Sequence, residues 1–557
     1  MTIVPSAIQP PHSNFPDSTN RKTLRSSFLS LALAVASLLL WVTPETSAQT
    51  VPFVNPPNID YRGGVVELRA ALANITWAGQ PARSNVYSAR YGSTSFAPSF
   101  APPTIRTHPD AFRELRLRLT NNIDFAHLGS ACLEGHEFTN LHYHGFEVSP
   151  VQPSDDVVNI KIHEGKSFDY VVPFPQITGK EHPEGMFWYH PHPHGCSFAQ
   201  VSNGMSGALI VGDILRTRYP AFVGIKENIL LLKDSQPDLT AAATMERALR
   251  SFFANPKAKA EDRFNPPATV NALHEPTITI RPGEFQFFRI GNVGSDAYFN
   301  IALPNVEAFI IAVDGFPTQG PIPLDSSKGW LLPPGSRVEM LVRGPQNPGP
   351  FVMTSLDAPE TAFRFVGTLM HLQVAATKAL KEDAKSGARL AALQQAPATP
   401  AKYYPLPSDF AQAKAAELQC QILTPSNDPR GTFVFTQDAN GNFFMNGLQY
   451  REDVLNVTCP IPSHPTWTIY NNTDINHTFH IHQIHFRVNK IGDHIVTDNE
   501  APFRDNVDVP PHTGVELTLP FDETYLAGKF VLHCHILFHE DHGMMMNIEL
   551  HLLTAQN

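Results

Sequence analysis

Three times along the chain a short strand-like run closes on an asparagine turn. Leu115-Arg116-Leu117-Arg118-Leu119 alternates apolar and charged residues and ends in Thr120-Asn121-Asn122. Phe285-Gln286-Phe287-Phe288-Arg289-Ile290 ends in Gly291-Asn292, and Trp467-Thr468-Ile469-Tyr470 ends in Asn471-Asn472. Such runs, bounded by turn residues, read as strands. Asn122, Asn292 and Asn472 lie 170 and 180 residues apart, and self-similarity at a near-constant spacing marks a duplicated architecture. The expectation is an all-β chain of three homologous β-sandwich domains. Its 557 residues, with 50 prolines and 33 glycines, suit several turn-rich domains better than one core.

The repeat sets expected boundaries. A first domain covers about 51–215, closing after the strand-like Gly207-Ala208-Leu209-Ile210-Val211, and a second runs over 216–376. Residues 377–420, rich in Ala and Lys with prolines near Pro397, read as a partly helical linker, and 421–557 form the third domain. Ahead of these, Arg21, Lys22 and Arg25 precede an apolar run from Phe28 to Val42, followed by the small residues Thr46-Ser47-Ala48. That run is short for a membrane span and right for the apolar region of a signal peptide. Residues 1–48 are therefore expected to direct export to the periplasm or the exterior, with no stable span after cleavage; Sec and twin-arginine routes both stay open. The net charge of -11 gives no general attraction to nucleic acid or anionic lipid. Of five cysteines, Cys132, Cys196, Cys420 and Cys459 can form disulfides in an exported chain, in a pairing the sequence leaves open. The odd count leaves one thiol over, and Cys534 is the candidate for a separate task.

The chemistry lies in the histidines. The chain has 25 of them, and five His-x-His pairs, where random placement gives about one. They fall in four blocks: Leu141-His142-Tyr143-His144-Gly145; Trp188-Tyr189-His190-Pro191-His192-Pro193-His194-Gly195; His477-Thr478-Phe479-His480-Ile481-His482; and His533-Cys534-His535-Ile536-Leu537-Phe538-His539, which continues to Gly543-Met544. In a strand, residues i and i+2 share a face about 6.5–7 Å apart, so one pair can give an imidazole to each of two neighbouring metals. Two pairs from the first domain and two from the third supply eight imidazoles to one cluster. The second domain lacks such a pair and reads as a spacer. Cys534, between His533 and His535, points to the opposite strand face, so a metal it binds connects through few bonds to the set held by its neighbours. Two histidines, a cysteine and a weak axial methionine are the signature of a blue-copper site, and His477, Cys534, His539 and Met544 supply them.

These four blocks, in this order and spacing, resemble the copper-binding motifs of the multicopper oxidases: laccases, cuprous oxidases, bilirubin oxidases and spore-coat laccases. The resemblance spans essentially the whole exported chain and implies three cupredoxin-like Greek-key domains holding four copper ions. By position, type 1 copper would take His477, Cys534, His539 and Met544; type 2 would take His142 and His480; one type 3 copper would take His144, His190 and His535, and the other His192, His482 and His533. The implied activity is one-electron oxidation of a reductant coupled to four-electron reduction of dioxygen to water. Water formation needs protons in a dry interior. Glu540 follows His539 in a His-Glu-Asp run resembling that of spore-coat laccases, where this glutamate is tied to proton supply, and Asp155 (or its neighbour Asp156) lies where the family often carries a second acid. His194, His485 and His542 read as supporting or surface groups, and Met545 and Met546 as packing.

The reductant is expected to be a phenol or aromatic amine, on the premise of an exposed type 1 edge. Oxidation of Cu(I), Fe(II) or Mn(II) is the alternative; with eleven methionines and no Met-rich loop, Cu(I) carries less weight. A copper-sequestering protein with little turnover is a further reading. A zinc or storage site leaves the Cys534–Met544 spacing without a purpose.

Overall fold

A computed structural model describes residues 50–174, 182–235, 237, 265–358, 361, 363–375, 384–394, 419–438 and 441–553. The expected signal peptide, residues 1–48, lies outside the described residues. Among the described residues, no helix is long and apolar enough to cross a membrane.

The chain forms three cupredoxin-like sandwiches, each of two large sheets. In the first, strands Asn58–Asp60, Thr104–Thr107, Gly207–Val211, Gly185–His190 and His142–His144 form one sheet. Ser167–Pro173, Glu114–Asn122, Val66–Trp77, Gln80–Tyr91 and Thr94–Ser99 form the other. The alternating run at 115–119 shows why they stack: Leu115, Leu117 and Leu119 are buried in the core, while Arg118 points outward opposite Asp169 and bonds to it at 2.6 Å. The second sandwich spans strands between Glu227 and Val374, and the third those between Gln421 and Leu552. Each has its own apolar core between its sheets.

Strand Phe285–Asn292 is buried at every position. Phe288 and Ile290 face the middle core, whereas Phe285 and Phe287 pack outward against Ile214 and Phe222. Met186 and Trp188 of the first sandwich pack with Ile229 and Leu231 of the middle one. Part of the expected linker is helical: Ala384–Gln394 buries Leu393 in the cluster of Phe222, Phe285 and Leu341.

The repeating asparagine differs from the sequence expectation by one residue at two of its three positions. Asn121, Asn292 and Asn471 are fully buried and donate to carbonyls that close the turn: Asn121 to Ile162, Asn292 to Ala297 and Leu332, Asn471 to Ile475 and Val509. A buried amide that satisfies backbone carbonyls fixes a turn that exposed Asn472 does not. Disulfides join Cys132 to Cys196 and Cys420 to Cys459, and Cys534 is the buried free thiol, as the odd count implies.

Candidate metal centre

Strand pairing brings the four histidine blocks together. His142–His144 runs antiparallel to Gly185–His190, with His142 opposite His190. In the third sandwich, His477–Ile481 runs antiparallel to Gly528–Cys534, with Phe479 opposite Cys534 and His480 opposite His533. The pleat then sorts the side chains. Phe479 and Cys534 turn into the third core, and His480 and His533 turn out toward the first sandwich. The two ends of the chain meet there: the rings of His142 and His482 stack at 3.8 Å.

Four groups result. The Nε2 atoms of His192, His482 and His533 converge at 3.2–3.3 Å from one another. His144, His190 and His535 form a second group, with Nδ1 of His144 3.1 Å from Nε2 of His535. His142 and His480 come together with His144 in a third. On the opposite face, Cys534 Sγ lies 3.5 Å from Nδ1 of His477 and 3.6 Å from Nδ1 of His539, and those nitrogens are 3.1 Å apart. Met544 is fully buried in the same core; its carbonyl accepts the Cys534 N–H and its own N–H donates to the His539 carbonyl.

The donor chemistry fits soft and borderline cations. Nδ1–H of His142 donates to Asp155 at 2.9 Å, that of His190 to the Pro191 carbonyl at 3.0 Å, that of His480 to the Asp505 carbonyl at 2.8 Å. Each leaves Nε2 a bare lone pair aimed inward, and these three atoms are buried with no hydrogen-bond partner among the described residues. Unpaired buried acceptors are costly unless something binds them. Burial first, and neighbouring imidazoles second, push His142, His144, His480, His482 and His535 well below the usual histidine range. Neutral imidazole is the form that ligates a metal. Burial pushes the Cys534 thiol up to about 12; a bound cation would favour its thiolate.

Both expected acids are buried beside the clusters. Asp155 accepts from His142, from the Tyr143 N–H and from Gln483, and burial outweighs those bonds to raise it to about 7. Asp156 turns instead to Asn159. Glu540 lies 3.1 Å from Nδ1 of His533 and 3.6 Å from Nδ1 of His192. Burial alone would raise it, but His192 and His533 outweigh burial and hold it below the usual carboxylate range. His194, His485 and His542 stand outside the four groups: His194 meets Tyr450, His485 bonds Glu147 and the Asp314 carbonyl, and His542 bonds the Phe538 carbonyl. Met545 and Met546 are buried among apolar side chains.

Other groups escape a reading of the sequence. Asp541 reaches from the third sandwich to accept N–H groups of Gly195, Ser197 and Phe198, at the start of helix Ser197–Ser202. Asp296 of the middle sandwich accepts the N–H of Phe538, in the turn that carries His539. Asp505 and Arg337 are a third case. Arg337 reaches Met186 and Asp505 across 151 and 168 residues, so no local pattern reveals the pair; a trace in the sequence is Gly145, whose added Cβ would overlap the Asp505 carboxylate and the Arg337 guanidinium. The premise of an exposed type 1 edge fails: His477 and His539 are fully buried, and Phe443 stacks on His539 at 3.9 Å.

Comparison with known proteins agrees with this geometry. Sequence profiles of the multicopper oxidase family match residues 133–215, 232–373 and 424–550. The chain belongs to the multicopper oxidases, a family of copper-binding oxidoreductases that pass electrons from a donor to dioxygen. It is 22% identical over 508 residues to a multicopper oxidase of Staphylococcus aureus, covering 90% of this chain and 92% of that protein. It is 23% identical over 456 residues to a laccase of Bacillus subtilis, covering 74% and 79%. Among solved structures, a Campylobacter jejuni multicopper oxidase described as a metallo-oxidase superposes with a TM-score of 0.63 at 19% identity, covering 90% of this chain and 95% of that one.

Proposed function

We propose that the protein is an exported, laccase-like enzyme holding four coppers, which couples one-electron oxidation of phenolic or aromatic donors to reduction of dioxygen to water. The observation that carries this reading is the alternation at 533–535, with the Cys534 sulfur facing His477 and His539 while its neighbours face the eight-imidazole cluster. The type 1 set is His477, Cys534, His539 and Met544; the type 2 set is His142 and His480; the type 3 sets are His144, His190 and His535, and His192, His482 and His533. When bound, copper supplies single-electron acceptance at the first set and dioxygen reduction at the others.

The chain does the rest. Cys534 and its two peptide bonds are the covalent path between the sets. Phe443, stacked on His539, makes donor electrons cross a covering layer rather than pass by direct contact. Asp155 Oδ2 beside His142 holds a proton within reach of the cluster, and Glu540 Oε2 beside His533, kept as a carboxylate, accepts one and passes it on. Oxidation of Cu(I), Fe(II) or Mn(II) is the second reading, supported by the likeness to the Campylobacter jejuni enzyme described as a metallo-oxidase. The test is copper analysis joined to oxygen uptake across phenols, aromatic amines, Cu(I), Fe(II) and Mn(II). About four coppers per chain, a blue thiolate band and steady uptake with phenols are expected from this ligand chemistry. About one copper without a blue band overturns the four-copper assignment, uptake with metal ions alone moves the substrate to the second reading, and binding without turnover makes the protein a sequestering factor.

A further inference from the structure

We infer that Arg337, from the middle sandwich that contributes no copper ligand, is a positioning residue for the histidine cluster; this rests on the copper reading above. Arg337 is fully buried on strand Arg337–Arg343. A guanidinium has five N–H donors in a rigid fork, and here each has an acceptor. Nε donates to the Met186 carbonyl at 3.1 Å. Nη1 donates to the Gly335 carbonyl at 3.0 Å and Asp505 Oδ1 at 2.8 Å. Nη2 donates to the Asp314 carbonyl at 2.7 Å and Asp505 Oδ2 at 2.6 Å. The acceptors come from all three sandwiches, so one side chain fixes their mutual placement where the cluster forms.

Asp505 carries that placement to the ligands. Its Oδ1 lies 3.2 Å from Nε2 of His144, and its backbone carbonyl accepts Nδ1–H of His480. Nε2 of His144 is thus engaged by Asp505 Oδ1 and by the Asn506 amide at 3.0 Å, which leaves Nδ1, 3.1 Å from Nε2 of His535, as the atom turned to the cluster. A bidentate ion pair orients the carboxylate in a way that a point-charge lysine cannot. Two glycines mark how tightly the parts fit. A Cβ at Gly145, next to His144, would enter the ion pair, and one at Gly335 would reach within 2.8–3.0 Å of Asn506 and His535. The middle sandwich is thus more than the spacer its missing histidine pair implies.

The test compares Arg337→Lys with Arg289→Lys. Arg289 is an equally buried arginine of the middle sandwich, paired with Glu339 and Glu227, with no contact to a proposed ligand. The readouts are total copper per chain, the blue absorbance of the Cys534 site and the melting temperature of the copper-free protein. Arg337→Lys should keep the blue band while copper affinity of the cluster falls about 10- to 100-fold, the effect usual for lost support of a ligand. Arg289→Lys should lower the melting temperature and leave the ratio of cluster copper to blue copper unchanged. An unchanged ratio in Arg337→Lys, or parallel loss of blue and cluster copper, overturns the inference. If Arg337→Lys does not fold, Asp505→Asn takes its place with the same expected and overturning results. A wild-type protein without its cluster copper would instead overturn the copper reading itself.

Discussion

Removing the Asp541 carboxylate should loosen the joint between the first and third sandwiches, and by an amount its geometry sets. Oδ1 accepts from Gly195 N–H at 2.7 Å and from Ser197 N–H at 3.3 Å, and Oδ2 accepts from Phe198 N–H at 2.8 Å, all buried. A buried donor stripped of its acceptor costs about 1–3 kcal/mol. Two short bonds and one long one give roughly 3–5 kcal/mol for Asp541→Ala. Asp541→Asn keeps one oxygen for Gly195 and Ser197 and loses the bond to Phe198, for about 1–2 kcal/mol. If the third sandwich, roughly 130 residues, melts as a unit, the alanine variant should melt about 10–20 °C lower and the asparagine variant about 3–8 °C lower. Calorimetry of the copper-free protein measures this, and copper analysis at limiting copper measures how far the loss spreads to His192, three residues before Gly195. A drop below about 3 °C for Asp541→Ala would refute the reasoning, because it would mean that water replaces the carboxylate at no cost.

Three other outcomes follow. Cys534→Ser should abolish the blue band while about three of four coppers remain, because a hydroxyl cannot replace a thiolate in a His₂Cys site; optical spectra with copper analysis check it. Gly145→Ala should cost about 2 kcal/mol or more, from a φ of +81° and overlap with the Asp505–Arg337 pair, and should deplete cluster copper in the same analysis. Asp296 is raised to about 8, by burial first and by Asp234 second. A carboxyl whose folded pKa exceeds its unfolded value binds more protons when folded, so its contribution is complete below about pH 4 and is lost as pH rises toward 8. Denaturant titrations of the copper-free protein should show that Asp296→Asn declines less than wild type between pH 4 and 8; parallel curves would contradict this.

What the sequence shows and what it hides divide along chain separation. His142 and His144, or His533 to His535, carry their meaning in a two-residue period, so the pleat could be read directly and the grouping of the histidines with it. The carboxylates Asp155 and Glu540 stand near His142 and His539 in sequence, and the fold buries both beside the clustered histidines. Arg337 and Asp505 are 168 residues apart, and Asp541 acts on an N–H 346 residues away; only packing creates such contacts. The asparagine repeat was visible, but choosing Asn121 and Asn471 over Asn122 and Asn472 needs to know which amide is buried. The covering of His539 by Phe443 comes from a neighbouring strand, Phe443–Met445, and nothing in the histidine block announces it.

The burial of strand Phe285–Asn292 on both faces reaches beyond this chemistry. Its amides should therefore be among the slowest to exchange, opening only when the packing around the strand comes apart. The first third of the chain then could not be excised from the middle one: a fragment ending near residue 215 would leave Ile214 and Trp188 facing water, a sticky surface that aggregates rather than a soluble module.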